Sequence, residues 1–277
     1  MATVDFITSA HTHSLICPVC QSPLCRREGS LVCDARHTYD IARAGYVNLV
    51  NTSSHRASGD SRECVQARTE FLSSEAYAPF REAICEAAGE GGVLVDAGCG
   101  EGYYTCTLAR RFAMTYGFDL SKASITAAAR RAAALGVRES TFFGVGSVYA
   151  LPIASGAADT VVNVFAPCVE EEYSRILRPG GVLVVACAGE DHLKGLKSVL
   201  YDELRPNTER ADLPCSLEHI SCRRVRYDIT LDTPELIRAL YLMTPYAYRT
   251  SVAAEQRLFS LDSLTTTVDF DIHVYKK

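Results

Sequence analysis

The chain has no tryptophan, so aromatic burial falls to 10 Phe and 14 Tyr among its 277 residues. Its longest apolar runs are short stretches such as VLVVACAG, far below the ~18 residues a membrane-spanning helix needs. The N-terminus, MATVDFITSAHTHS, has neither a basic region nor an apolar segment of the secretory type. There is no basic excess either: net charge is -5 and pI about 5.8, so bulk attraction will not hold the chain on nucleic acid or anionic lipid. Internal repeats and low-complexity tracts are absent. A soluble cytoplasmic protein, with no membrane partner, is expected.

What is present is the balance of a globular protein, with 48% hydrophobic and 22% charged residues. The length suits one large domain, or a main domain with an appendage. Charge is uneven, because the first 60 residues carry five Arg and no Lys against five acids and are locally neutral. Any nucleic-acid footprint is therefore local, and this segment is the place for it. Of 12 cysteines, four fall between Cys17 and Cys33, and the others are scattered singly from Cys64 to Cys222. Such scatter indicates reduced, buried thiols rather than a disulfide framework.

Three zones follow. Residues 1–50 are rich in Cys, His and turn formers, and 51–66 have the composition of a linker or mobile loop. Residues 67–277 form the main domain. A helical pattern from CVQARTEFL to EAAGEGG, starting at Cys64, leads into it, and then short apolar strands (GGVLVDAG, MTYGFDLS, STFFGVGS, ADTVVNVFAP, GGVLVVACAG) alternate with helical segments. Ser121 and Gly136 bracket one of those helices as N-cap and C-terminal stop. This alternation predicts an α/β fold with a mostly parallel sheet. CRRVRYDITLDT and TTTVDFDIHVYKK alternate apolar and polar positions and fit an antiparallel pair at the sheet edge.

Asp96, Gly98, Gly100 and Gly102 form D-x-G-x-G-x-G where the first strand ends. Glycines there let the backbone turn sharply and approach a ligand. A dinucleotide turn reads G-x-G-x-x-G, whereas Tyr103 stands in its third place and Gly102 comes one residue early. Asp119, 21 residues after Gly98 at the end of the second strand, is placed to accept a ribose hydroxyl. Asp119 supports a nucleoside ligand without choosing between cofactors, while the glycine spacing leans away from NAD. At VDAGCGEG, over roughly residues 90–190, the chain resembles the class I S-adenosylmethionine-dependent methyltransferases. That resemblance implies a Rossmann-like seven-stranded sheet and a methyl transfer, and leaves the acceptor open.

Cys17-x2-Cys20, twelve residues, then Cys33-x3-His37 supplies four soft ligands. A closed Cys3His tetrahedron suits a structural zinc, with no open position for catalysis. So small a segment has little core to fold on without metal. Cys25 is a spare that could stand in for Cys20 or Cys33, and His11 and His13 are weaker competitors.

Taken in order, CPVC, CDARH-TYDIARAGYVNLV, GDSREC-VQAR-TEFL, VDAGCGEGYYT, VFAPC, LRPGG, HLKGLK and MTPYAYR resemble the RlmA-type bacterial rRNA (guanine-N1)-methyltransferases over nearly the whole chain. The resemblance implies N1 methylation of a guanine in a hairpin loop of 23S rRNA, macrolide resistance in some members, and a homodimer whose paired zinc segments form an RNA cleft. Residue by residue, Cys17, Cys20, Cys33 and His37 match the family's zinc ligands. Tyr77, Gly102, Tyr103 and His192 match its cofactor contacts. MTPYAYR departs from the pattern, which has an aromatic such as Trp where Tyr248 stands.

Methyl transfer from a sulfonium chiefly requires alignment of donor and acceptor and removal of the N1 proton. NVFAPC follows the fourth strand, where such enzymes face their acceptor, so Ala166 and Pro167 are the acceptor-facing candidates. The base is not named by the sequence. Cys168 reads as a small buried hydrophobe, and Glu170, Glu171 and Glu172 as a solvated helix start. RNA is expected to be met in an unpaired loop with the guanine extruded. Arg26, Arg27, Arg36, Arg43 and Arg56 are the candidate phosphate contacts. On the residues alone, a small-molecule or protein methyltransferase braced by its zinc, and a non-enzymatic RNA-binding module, remain the rival readings.

Overall fold

A computed structural model describes residues 7–50, 59–204, 213–214 and 216–277. The N-terminal segment holds helix α1 (Ser9–Thr12) and strands β1 (Cys25–Arg27), β2 (Ser30–Val32), β3 (Thr38–Asp40) and β4 (Val47–Asn48). Helices α2 (Arg62–Ser73) and α3 (Ala78–Ala88) follow, then β5 (Gly91–Ala97), α4 (Tyr103–Leu108), β6 (Phe112–Asp119), α5 (Lys122–Ala134), β7 (Thr141–Val145) and β8 (Ala158–Val164). The remainder is α6 (Glu170–Ile176), β9 (Leu177–Ala188), α7 (Lys194–Leu200), β10 (Glu218–Leu231), α8 (Pro234–Leu242), α9 (Val252–Phe259) and β11 (Leu264–Lys276).

β1, β2 and β3 make a small antiparallel sheet, and the main sheet runs β10-β11-β9-β8-β5-β6-β7-β4. Every pair from β9 to β4 is parallel, whereas β11 meets β9 and β10 antiparallel. The central strands are largely apolar and buried, β7 throughout, β8 except at Asp159 and β5 from Leu94 onward, as a parallel sheet covered on both faces requires. No helix among the described residues is long and apolar enough to cross a membrane.

The sheet therefore has eight strands among the described residues, one more than the expected seven. The extra strand is β4, whose two residues leave the zinc segment and pair with Gly144 and Val145 of β7. Leu15, Leu24 and Leu31 of that segment are buried in the same apolar cluster as Tyr116, Phe118 and Phe142 of the sheet. Each buried leucine is worth about 1.5–3 kcal/mol, so the segment is anchored to the main domain rather than tethered beside it. Buried His11 adds a polar tie. Its Nδ1 accepts from the Thr8 N–H at 3.1 Å, which leaves Nε2 to donate to the Arg138 carbonyl at 3.0 Å.

Of the expected linker 51–66, residues 51–58 lie outside the described residues and 62–66 are the first turns of α2. The predicted helix from Cys64 is two helices. It breaks at Ser74, whose hydroxyl turns back to the Phe71 carbonyl, and resumes with Pro79 in the first turn of α3. Ser121 caps α5 through the Ser124 N–H, and Gly136 takes φ +69° behind it, both as expected.

Candidate active site and metal centre

The zinc segment folds as two turns facing each other. In the first, the Gln21 N–H donates to the Cys17 carbonyl; in the second, the Arg36 N–H donates to the Cys33 carbonyl, both at 2.8 Å. Gln21 and Arg36 adopt φ of 59° and 64°, which tightens each turn enough to aim its ligands inward. The ligand atoms of Cys17, Cys20, Cys33 and His37 all lie within 4.8 Å of one another. Cys20 Sγ is 3.6 Å from Cys33 Sγ, and His37 Nδ1 is 3.3 Å from Cys33 Sγ and 3.5 Å from Cys17 Sγ. Zinc bonds of about 2.3 Å to sulfur and about 2.0–2.1 Å to nitrogen give tetrahedral edges of about 3.5–3.8 Å, so the donor set fits zinc.

Hydrogen bonding, chiefly with Ser22, brings the Cys20 thiol down to about 6, toward the thiolate that a metal takes. The Tyr39 hydroxyl lies 3.1 Å from Cys17 Sγ, and burial raises its pKa, so it stays protonated and available as a donor. Cys25 is exposed on β1 outside the cluster, His13 is exposed, and His11 is engaged with Arg138. Among the arginines, Arg26 donates to the carbonyls of Ile7 and Glu28 within the segment itself. Arg27, Arg36 and Arg43 are exposed, and Arg56 lies outside the described residues.

The glycine turn follows β5. Gly98, Gly100 and Gly102 all have positive φ, at 87°, 55° and 78°. A Cβ on Gly98 would come 2.4 Å from the Cβ of Ala166, and one on Gly102 would come 2.9 Å from the Cβ of Ala128. At Gly100 the nearest atom would be Arg68 Nη1 at 3.7 Å, so this glycine faces open space that a ligand can use. Asp119 closes the turn from β6, accepting from the Gly100 N–H at 3.1 Å and the Ser121 N–H at 2.7 Å. A carboxylate has about four lone-pair sites, which leaves Asp119 acceptor capacity for a ribose. Asp96 is buried and takes the Thr105 hydroxyl at 2.6 Å; burial pushes its carboxyl up to about 7.

Three charged residues beside the turn escaped the sequence reading. Buried Glu101 sits in the electrostatic field of Arg68, and Arg68 pairs with Asp60 at 2.5 Å. Asp60 in turn receives the Ser121 hydroxyl on its carbonyl, so the segment before α2 lies against the tip of β6. The one signal for Glu101 was its place between Gly100 and Gly102; Arg68 and Asp60 gave none.

Tyr103 is buried under Arg81 and Arg131, and its hydroxyl accepts from Arg81 at 3.0 Å. Tyr77 and His192 come together, ring centroids 6.3 Å apart, over Phe270. The Tyr77 hydroxyl is buried without a partner among the described residues. An unmet buried hydroxyl costs about 1–3 kcal/mol, and a polar ligand atom there relieves it. Burial holds His192 down to about 3, so the ring is neutral; Nδ1 accepts from the Asp269 N–H at 3.4 Å, which puts the proton on Nε2. Open space at Gly100, an unmet hydroxyl at Tyr77 and spare acceptor capacity on Asp119 are what a nucleoside carrying an amino-acid tail fits.

The loop after β8, where the sequence placed the acceptor-facing candidates, lies directly on this turn, through Ala166 against Gly98. The Pro167 carbonyl points inward to Asn163 Nδ2 at 3.0 Å and the Tyr173 hydroxyl at 2.8 Å. Cys168 is half-buried. Glu170 accepts from the backbone of Ser216 and Leu217, and Glu172 accepts from the Leu151 N–H at 2.6 Å, so both hold loops in place. Tyr248 is 72% exposed in a short 3-10 turn after α8.

Sheet order, glycine turn and Cys3His cluster define a class I S-adenosylmethionine-dependent methyltransferase with an N-terminal zinc ribbon. Comparison with known proteins agrees in both halves: residues 15–57 match the family model for the RlmA N-terminal zinc ribbon, and residues 95–185 match that of a methyltransferase domain. The 23S rRNA (guanine(748)-N(1))-methyltransferase of Streptomyces fradiae is 39% identical over 239 residues, 82% of this chain and 83% of that protein. YxjB of Bacillus subtilis (strain 168), provisionally named as a 23S rRNA (guanine-N(1)-)-methyltransferase, is 30% identical over 280 residues, 94% of this chain and 96% of that protein. The chain belongs to the RlmA-type 23S rRNA (guanine-N1)-methyltransferase family.

Proposed function

We infer that the protein transfers the methyl group of S-adenosylmethionine to N1 of a guanine in a hairpin loop of 23S rRNA. The observation that carries this reading is the joining of a closed Cys3His ribbon to the sheet edge through β4. The ribbon has no open metal position for chemistry, while the glycine turn and the acceptor loop meet at Gly98 and Ala166. The bound sulfonium supplies an already activated methyl group, so the protein's task is alignment.

Gly100 lets the backbone approach the cofactor, with Asp119 for the ribose, Tyr77 Oη for a polar atom and the neutral His192 ring beside it. His192 does not serve as the base, because its Nδ1 accepts from the Asp269 N–H and its Nε2 carries the ring's proton. With Pro167 turned inward, the Ala166 carbonyl is the group we assign to the guanine N1–H, holding that edge toward the donor. Arg27, Arg36 and Arg43 are exposed on the ribbon for phosphate contact. A homodimer that sets two ribbons around the hairpin belongs to the same reading, and a ribosomal RNA substrate places the activity in the cytoplasm.

The test is expression in a bacterium lacking its own enzyme of this kind, with 23S rRNA mapped by primer extension, since N1-methylguanine stops reverse transcriptase. A new stop at one guanine is expected, and raised macrolide tolerance in the same strain would extend it. If no stop appears although the purified protein binds S-adenosylmethionine, rRNA is not the acceptor.

A further inference from the structure

Among the described residues, six non-glycine residues have positive φ, and Phe165 (φ 59°) is the aromatic one. A bulky residue in that region costs about 1–2 kcal/mol and stays there only where its surroundings hold it. Five contacts do so. The Phe165 N–H donates to the Ala186 carbonyl at 3.2 Å, and Ala166 packs on the bare face of Gly98. On the other side Asn163 Nδ2 donates to the Tyr173 oxygen at 2.7 Å and to the Pro167 carbonyl, while the Tyr173 hydroxyl donates to that same carbonyl. Asn163 and Tyr173 are both buried, so the triangle is shielded from water.

Every one of these contacts fixes the loop, and none covers the ring. Phe165 stacks on buried Phe80 at 5.7 Å and 28°, and lies 4.9 Å from Phe270, yet 49% of the residue is exposed. Its neighbours Phe80 and Phe270 are both buried. The result is an aromatic surface with one side supported and the other open, beside the glycine turn. A guanine whose N1 edge is to be reached must leave its own stack and lose those contacts, and an open protein ring replaces them.

We propose that Phe165 is the platform on which the extruded guanine stacks, and that Asn163 and Tyr173 are positioning residues that hold it there through the Pro167 carbonyl. The proposal rests on the rRNA reading above and names the residue that receives the base.

The test uses the zinc-loaded full chain and the rRNA hairpin that primer extension identifies. Phe165→Leu is expected to lower kcat/KM for the hairpin about 5- to 150-fold, the range of base–aromatic stacking. Phe165→Tyr and Phe165→Trp should retain it within about threefold if stacking is the role. S-adenosylmethionine affinity by calorimetry should stay within about twofold of wild type in all three, since the platform serves only the acceptor. Tyr173→Phe, which removes the hydroxyl from the triangle, should lower kcat with little change in either affinity. A Phe165→Leu enzyme with wild-type kcat/KM overturns the platform while leaving the function intact. Parallel loss of cofactor affinity also overturns it, because the ring would then only brace its aromatic neighbours. A wild-type protein that methylates no rRNA overturns the function and the platform together.

Discussion

Replacing Gly98 by alanine tests the contact between the glycine turn and the loop after β8. Gly98 has φ +87°, and an added Cβ would lie 2.4 Å from the Cβ of Ala166. The left-handed backbone alone costs an alanine about 1–2 kcal/mol, and overpacking a close contact costs about 1–3 kcal/mol more. Gly98→Ala should therefore destabilise the protein by about 2–5 kcal/mol in urea unfolding, with weaker S-adenosylmethionine binding by calorimetry. The two causes separate in a double-mutant cycle. Ala166→Gly removes the opposing Cβ but leaves the backbone cost, so the double variant should recover about 1–3 kcal/mol relative to additivity. If the two changes add within about 0.5 kcal/mol, Ala166 does not press on Gly98 and the apposition of the two loops is refuted.

Two further outcomes follow from the ribbon and from Asp96. Stripping zinc with a chelator should release one ion per chain and lower the Tm, because structural zinc contributes about 10–16 kcal/mol in isolated zinc fingers and the ribbon shares its apolar cluster with the sheet; a chain that melts unchanged after losing its metal would contradict this. An unfolded Asp ionises near about 4, whereas folded Asp96 holds its proton to about 7. Between those values only the folded form is protonated, so stability falls as pH rises, by no more than about 4 kcal/mol from this group. Asp96→Asn should flatten the slope between pH about 4 and about 7 in urea unfolding, and an unchanged slope would rule out the buried, protonated carboxyl.

By itself the sequence determined whatever depends on neighbours along the chain. The Cys17–Cys20 and Cys33–His37 spacings specify two ligand turns; the glycines after Asp96 specify the donor turn; and Ser121 and Gly136 mark the ends of α5. The alternation of β10 and β11 likewise foretold an antiparallel pair at the edge. Only the tertiary structure decided what joins distant segments. A two-residue strand carries no periodicity, so nothing local showed that β4 would extend the main sheet and bind the ribbon to it. The Arg68–Asp60 pair beside Glu101 arises because the segment before α2 folds back onto Ser121. Ala166 meets Gly98, and Phe165 is held in a left-handed backbone, because β8 lies beside β5 and brings the two loops to the same end of the sheet. Spacing along the chain fixes which atoms can reach one metal or one turn, whereas pairing order in the sheet decides which turns face each other; the zinc ligands were therefore legible and the acceptor platform was not.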